Sequence, residues 1–195
     1  MSTQLTKRQT EILEITTRII SQEGVQVFTM KQVAVELGIS EPAIYKHFPN
    51  KVAILSVLLD QFHEKIEDLA ATHLSPNMNG DIVGFFTHVI ETLAEKPALS
   101  AVIFSEEIFR SEPELANKVK AIMSMVEGHL VRYLKTQLHY LPNAPVEHVS
   151  WMFLGSVRLL VTRWRLADFG FDLRRNAQEL LKTISNLTFC NRRKV

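Results

Sequence analysis

The chain has 195 residues, of which 46% are hydrophobic and 22% are charged, and its formal net charge is +1. This balance is typical of a packed globular protein and excludes an intrinsically disordered chain. Because the charge is almost balanced, any nucleic-acid surface has to concentrate its basic groups locally.

Neither a signal peptide nor a membrane span is predicted. The segment from Met1 to Ile12 is polar, and no stretch reaches the ~20 consecutive apolar residues that a transmembrane helix needs. The single cysteine, Cys190, excludes a disulfide framework within the chain. These features predict a soluble, cytoplasmic protein with no membrane partner.

Glycine and proline are scarce, with seven of each, and they separate segments of helical periodicity. Strand-like alternation is missing, so an all-α fold of about nine helices is predicted. Residues 1–50 are predicted to form a three-helix, helix-turn-helix DNA-binding domain, and residues 51–195 a helical bundle for ligand binding and dimerisation. In chain order the helices are expected at about Thr6–Glu23, Thr29–Gly38, Ser40–Phe48, Asn50–His73, Asp81–Glu95, Pro97–Arg110, Pro113–His139, Val146–Asp168 and Asp172–Phe189.

The second and third helices carry the local signals of a helix-turn-helix pair. Thr29 and Gln32 have the spacing of a capping box, which starts the second helix. Gly38 can adopt the positive φ that a tight turn needs. Ser40 is expected to cap the third helix, and Pro49 ends it.

The third helix is the predicted recognition helix, since the second helix of such a pair enters the major groove. Ile44 and Phe48 lie four residues apart and are expected to face inward. The outward face mixes small, aromatic and basic side chains, which suits base edges and flanking phosphates. The DNA contacts predicted from this helix are Glu41, Pro42, Ala43, Tyr45, Lys46 and His47.

Two lysines fall where helix electrostatics disfavours a cation. Lys31 and Lys51 lie in the first turns of their helices, where they oppose the helix dipole. The conflict disappears if a DNA phosphate docks there, so a phosphate clamp is predicted, with Thr29 adding a hydroxyl. Solvated surface lysines are the alternative. At the start of the first helix, Lys7 and Arg8 are candidates for contact with the DNA backbone or the minor groove, and a solvated charge pair is the alternative.

The same segment resembles the DNA-binding domain of the TetR/AcrR family of repressors. The resemblance lies in Thr29-Met30-Lys31-Gln32-Val33-Ala34, Leu37-Gly38-Ile39-Ser40 and Ile44 to Lys51, whose Tyr-x-His-Phe-x-x-Lys pattern is highly specific, and it covers roughly residues 8–55. It implies a dimer, an N-terminal DNA-binding domain and a divergent C-terminal ligand domain. It also implies phosphate contacts by Thr29, Lys31, Tyr45, His47 and Lys51.

Glu41 departs from that pattern, because many members have a small or polar residue there. An acid beside DNA would repel phosphates unless it accepts a hydrogen bond from a cytosine N4. The base preference is therefore left open.

The helix Val146–Asp168 is apolar on more than one face, so it has to bury more than one face. With the stripe of the last helix, it predicts a four-helix interface between two subunits, which would place two recognition helices on a palindromic operator. Burial within one subunit is the alternative. The predicted interface residues are Met152, Leu159, Trp164, Leu180, Leu181 and Ile184.

Aromatic and methionine side chains are abundant in the middle of the chain. They can line an adaptable apolar cavity for a small hydrophobic effector, although such residues also serve as plain core. The ligand contacts predicted on this basis are Phe62, Phe85, Phe86, Phe104, Phe109, Met123 and Trp151. Arg158 is a further candidate, which would hold an acidic group of the ligand; a salt bridge to Glu106, Glu107 or Asp168 is the alternative.

An enzyme is disfavoured, since no nucleophile elbow, phosphate loop, dinucleotide fingerprint or metal-ligand spacing is present. No metal and no cofactor are expected. The sequence predicts a transcriptional regulator that binds double-stranded DNA as a homodimer, most simply a repressor that responds to a ligand. The alternative is a DNA-binding protein without a small-molecule effector, either regulated by a protein or associated with the nucleoid.

Overall fold

The computed structural model describes residues 5–75, 80–137 and 144–189, and every regular element in these ranges is a helix. The all-α fold class is confirmed. No described helix is both long and apolar enough to cross a membrane. The helices are α1 Lys7–Glu23, α2 Met30–Leu37, α3 Glu41–Tyr45, α4 Lys51–His73, α5 Ile82–Glu95, α6 Pro97–Ile103, α7 Glu106–Ser111, α8 Pro113–Thr136, α9 Val146–Leu166 and α10 Leu173–Thr188.

The predicted helix Pro97–Arg110 is two helices, which raises the count from about nine to ten among the described residues. Ser105 has an extended backbone, and its hydroxyl accepts a hydrogen bond from the Ile108 N–H (3.3 Å). Glu106 and Glu107 then fill the first turn of α7, where the helix dipole favours acids. Serine followed by two acids is a helix start, and this signal outweighs the apolar periodicity across it.

The described chain divides into two compact units. The first comprises the chain up to His63 together with Lys96–Lys120. Within it α1 packs against α2 and α6, and α2 packs against α3. Its core is aliphatic with a few aromatic rings, and its fully buried members include Ile12, Ile19, Phe28, Val33, Ile44 and Leu59.

The second unit comprises Glu64–Glu95 and the chain from Ala121 onward. In it α10 packs against α5 and α9, and α5 also contacts α9. Its fully buried side chains include Phe85, Phe86, Ile90, Phe153, Val161 and Leu181. Both α4 and α8 contribute residues to each unit, so these two helices are continuous across the division.

Candidate nucleic-acid interface

The start of α2 is fixed by the predicted capping box. The Thr29 hydroxyl accepts from the Gln32 N–H (3.2 Å), and the Gln32 side chain accepts from the Thr29 N–H (2.8 Å). Each bond satisfies a backbone donor that the helix itself cannot use. The Gln32 amide also donates to Glu23 at the end of α1 (2.9 Å). The box therefore links the start of α2 to α1.

Gly38 makes the tight turn between α2 and α3. It is left-handed, with φ 66° and ψ 31°. The Ile39 N–H donates to the Ala34 carbonyl (3.0 Å) and the Gly38 N–H to the Val35 carbonyl (3.1 Å), which is the Schellman arrangement. A Cβ at Gly38 would meet no atom within 4 Å, so its backbone conformation rather than crowding requires glycine.

The recognition helix α3 presents the predicted face. Ile44 and Phe48 are buried, as predicted, and they anchor the helix to the core of the first unit. Tyr45 is 46% exposed, and Pro42 and Lys46 are also exposed. Glu41, Ala43 and His47 are partly exposed. All six of the predicted DNA-contacting residues on this segment are thus accessible to a partner.

Two details of α3 differ from expectation. The helix ends at Tyr45 rather than near Phe48, and a turn follows in which the His47 and Phe48 N–H groups both donate to the Ile44 carbonyl. Pro49 accounts for an end before Phe48, since it disfavours a helical residue before it, but not for the earlier end at Tyr45. Ser40 occupies the N-cap position, but its side chain makes no capping hydrogen bond.

Glu41 and Tyr45 form a pair on the exposed side of α3. The Tyr45 hydroxyl donates to the Glu41 carboxylate (3.1 Å), across one helical turn. This hydrogen bond, with partial desolvation and the charge of Glu41, raises the pKa of Tyr45 above its usual value. Sequence reasoning considered each residue separately and missed the pair, although the spacing of four residues was visible.

Lys31 and Lys51 are exposed at the starts of α2 and α4. Neither helix has an acid in its first turn, and no hydrogen bond or ion pair within the described ranges engages the side chain of either lysine. Asn50 caps α4, since its side-chain oxygen accepts from the Ala53 N–H (2.9 Å).

Thr29 differs from expectation, because its hydroxyl donates to Gln32 (2.9 Å) as well as accepting from it. The hydroxyl is therefore already engaged within the capping box.

A second capping box, which sequence analysis missed, starts α1. Thr6 and Gln9 bond reciprocally, with the same Thr-x-x-Gln spacing that was recognised at Thr29. The Gln9 amide also donates to the His47 carbonyl (3.4 Å), so the start of α1 lies beside the end of the recognition helix. Lys7 is exposed there, whereas Arg8 is paired with Glu11 (2.8 Å).

The predicted ligand contacts do not share one environment. Phe62, Phe85 and Phe86 are buried, and Phe104 is half-buried. Met123 and Trp151 are 55% and 53% exposed, so they differ from the buried members of the set, and their ligand contact stays a prediction. Arg158 is exposed, and the Phe109 side chain lies outside the described part of the structure.

Buried aromatic rings of the second unit contact one another. Phe86 stacks on Phe153, with ring centroids 5.7 Å apart and planes within 5°, and Phe85 meets Phe86 edge to face at 5.0 Å. The Trp151 indole instead donates to Glu127 at the surface (2.6 Å). Among the described residues, no group of three or more histidine, cysteine or acidic side chains could hold a metal ion.

The predicted interface residues divide into two groups. Trp164, Leu181 and Ile184 are buried within the subunit, so their side chains already have partners in its own core, and their interface role stays a prediction. Met152 and Leu159 are 50% and 61% exposed on α9, and Leu180 is partly exposed on α10. Gly155 lies between the first two in sequence and is exposed, with no atom within 4 Å of an added Cβ.

Comparison with known proteins identifies this DNA-binding segment. Residues 12–58 match the family described as bacterial regulatory proteins, tetR family. A nucleoid occlusion factor, SlmA of Shewanella woodyi, is 25% identical over 166 residues, which cover 83% of this chain and 82% of the relative.

Two solved structures share the fold over nearly the whole chain. The ketosteroid transcriptional regulator KstR2 of Mycobacterium tuberculosis has a TM-score of 0.77 at 18% identity, covering 95% of this chain and 97% of its own. SmeT, a repressor of Stenotrophomonas maltophilia, in its complex with triclosan has a TM-score of 0.76 at 16% identity, covering 97% of this chain and 95% of its own.

Proposed function

We propose that this chain, which belongs to the tetR family of bacterial regulatory proteins and is a DNA-binding transcriptional regulator, represses transcription by binding a palindromic operator as a homodimer. One observation carries the mode of DNA binding. Lys31 and Lys51 stand exposed and unpartnered at helix starts on either side of the recognition helix in sequence. α3 then reads bases while the two lysines hold the phosphate backbone.

The phosphate contacts follow from helix electrostatics. The first N–H groups of a helix have no partner within the helix, and the helix dipole makes this end positive. At α4, Asn50 satisfies the N–H of Ala53, while Lys51 adds a mobile cation. A phosphate at this position is attracted by the positive end of the helix and by Lys51. Its negative charge therefore offsets the repulsion between the lysine and the helix dipole. Thr29 supports the arrangement by positioning α2 rather than by offering a free hydroxyl.

The salt dependence of DNA binding tests this arrangement. Lys51→Ala and Lys31→Ala should each weaken binding to all duplexes and lower the slope of log K against log salt by about 1. Lys135→Ala is the matched control, since Lys135 is an exposed lysine in the last turn of α8. If both test variants keep the wild-type salt slope on a nonspecific duplex, the phosphate contacts are wrong.

For dimerisation, the proposal retains the exposed apolar face of α9. Met152 and Leu159 would be covered by the same face of a second subunit, and the bare surface at Gly155 would let two helices approach closely. Partly exposed Leu180 of α10 extends this interface. The resulting twofold symmetry requires operator half-sites about one DNA turn, or a multiple of it, apart.

A small hydrophobic effector would regulate this binding. α4 begins in the first unit and continues into the second. A change at its C-terminal end can therefore be transmitted along the helix to the first unit, which contains α2 and α3. The effector can shift the equilibrium only by its difference in affinity for the two states, typically about 1–3 kcal/mol. KstR2 is named as a ketosteroid regulator and SmeT is described in complex with triclosan, which supports a small hydrophobic molecule as the effector.

A second candidate is a nucleoid-associated protein without a small-molecule effector. It is favoured by the SlmA relative, and by the buried rings of Phe85, Phe86 and Phe153, which are in contact with one another. Two measurements separate the candidates. A regulator should occupy a few promoter sites across the genome, and triclosan or a ketosteroid should raise its melting temperature. Sites scattered along the chromosome, with no shift by either compound, would favour the second candidate.

A further inference from the structure

Glu41 places a carboxylate on the surface that the regulator turns toward DNA. It is the first residue of α3, and its side chain is partly exposed. The first residues of a recognition helix are those that meet base edges in the major groove. A negative charge there is repelled by both phosphate backbones, so it weakens binding unless one base pair compensates for it.

Tyr45 holds this carboxylate in place. Its hydroxyl donates to one carboxylate oxygen of Glu41 (3.1 Å), which leaves the other oxygen without a partner in this pair. A phenol is protonated at neutral pH, and the hydrogen bond to Glu41 raises the pKa of Tyr45 further, so the hydroxyl remains a donor. A tyrosine hydroxyl has only one hydrogen. While the pair is intact, Tyr45 therefore has none to give to a phosphate.

We propose that Glu41 and Tyr45 act as one unit that selects cytosine, with Glu41 accepting a hydrogen bond from the cytosine N4 amino group and Tyr45 positioning the carboxylate. This inference rests on the proposed sequence-specific binding by α3. It assigns Tyr45 a role other than the phosphate contact that the family resemblance implies.

The chemistry favours cytosine over the other three bases. An ionised carboxylate only accepts hydrogen bonds, so it needs a base edge that donates. In the major groove, guanine and thymine offer this residue acceptors, and adenine places its N7 acceptor beside its amino group. Cytosine offers the N4 amino donor without an acceptor of its own beside it. A carboxylate therefore meets the least repulsion at cytosine.

The experiment selects bound sites from a random duplex library with the full-length wild-type protein and with Glu41→Gln, Glu41→Ala and Tyr45→Phe. For the wild type, one position in each half-site should prefer cytosine by about 5- to 150-fold. With Glu41→Gln that position should change to adenine, because a glutamine amide pairs with adenine N6 and N7. Glu41→Ala should lose the cytosine preference. This second variant keeps the test decisive if the glutamine variant misfolds.

Tyr45→Phe distinguishes positioning from phosphate contact. If the hydroxyl positions Glu41, its loss should reduce the cytosine preference by about 2- to 10-fold. Loss of a phosphate contact should instead weaken binding to all sequences alike and leave the cytosine preference unchanged. Lys46→Gln is the contrasting control. It removes an exposed cation from the next position on the same segment, and it should lower affinity for all sequences without changing the cytosine position.

Three outcomes would overturn the inference, and they have different meanings. An unchanged motif for both Glu41 variants excludes Glu41 as the selective residue while sequence-specific binding stands. A Tyr45→Phe protein that binds all sequences more weakly and keeps an unchanged motif makes Tyr45 a phosphate contact. A wild-type protein that enriches no motif overturns the proposed function itself, and the inference with it.

Discussion

The side-chain amide of Gln9 donates to the main-chain carbonyl of His47, with 3.4 Å between the nitrogen and the oxygen. The same side chain accepts from the Thr6 N–H (3.0 Å) as half of the capping box of α1. One glutamine therefore starts the first helix and holds the turn that ends the recognition helix. This dual role links the stability of α1 to the placement of α3.

Two substitutions separate these roles of Gln9. Gln9→Ala loses both hydrogen bonds and should lower the free energy of unfolding by about 1 kcal/mol, along with the affinity for DNA. Gln9→Glu keeps an acceptor for the capping box and adds an acid to a first turn that has none, so stability should stay within about 0.5 kcal/mol of wild type. Its carboxylate cannot donate to His47, so DNA affinity should still fall.

Urea unfolding at fixed protein concentration and operator titration measure the two quantities. The decisive comparison is Gln9→Glu, whose stability and affinity should change separately. If this variant binds the operator as tightly as wild type does, the contact with His47 does not position the recognition helix. Gln9→Ala then reports only on the capping of α1.

The stacked rings of Phe86 and Phe153 predict a measurable coupling in the core of the second unit. Both side chains are fully buried, and replacing either with alanine should cost about 3–5 kcal/mol of stability. The double variant should lose less than the sum of the single losses, by about 0.5–1.5 kcal/mol, because the ring contact is lost only once. Phe153→Leu is the milder control, since it keeps an apolar side chain but no ring. Strictly additive losses would contradict a direct ring–ring contribution.

Leu159 tests the proposed dimer interface, because it is 61% exposed on α9 and is not needed for the core. Leu159→Glu should convert the dimer to monomers in sedimentation velocity at micromolar concentration, since it places a charge in an apolar interface. Binding to a full palindrome should then weaken toward the level of a half-site. Val35→Glu, at an exposed apolar residue of α2, is the control and should stay dimeric. A Leu159→Glu protein that remains a dimer would place the interface elsewhere.

The DNA-binding segment was predictable because its signals are local. The capping box at Thr29, the turn at Gly38 and the stop at Pro49 each act over six residues or fewer, and they hold regardless of the rest of the fold. The pair formed by Glu41 and Tyr45 was equally local. Its spacing of four residues permits the contact, but it does not say whether the Tyr45 hydroxyl turns toward Glu41 or toward DNA.

The helical bundle was less predictable for a physical reason. Its apolar residues are more numerous than one helix face can hold, and composition does not say which face meets the subunit's own core. Trp164 and Leu159 lie five residues apart on the same apolar helix, yet one is buried and the other is exposed. Only the packing of α9 against its neighbours separates core from candidate interface.

Tyr133 gives a prediction for alkaline pH. It is buried in the second unit, and its hydroxyl donates to the Gly80 carbonyl (3.0 Å). Burial, and then the nearby charge of Asp81, raise the pKa of Tyr133 above its usual value of 10.0. The folded state thus holds this proton more tightly than the unfolded state. Its contribution to stability is complete below about pH 10 and is lost as the pH rises through the higher folded value.

Tyr133→Phe removes both the hydrogen bond and the titration. At pH 8 it should be less stable than wild type by about 0.5–1.5 kcal/mol, because the Gly80 carbonyl loses its donor. Above pH 10 the wild-type tyrosine begins to favour unfolding while phenylalanine does not, so the gap between the two proteins should narrow. Denaturant unfolding at intervals from pH 8 to 11 follows this gap. A gap that stays constant over the whole range would mean that the buried hydroxyl ionises equally in both states, which is incompatible with its burial beside Asp81.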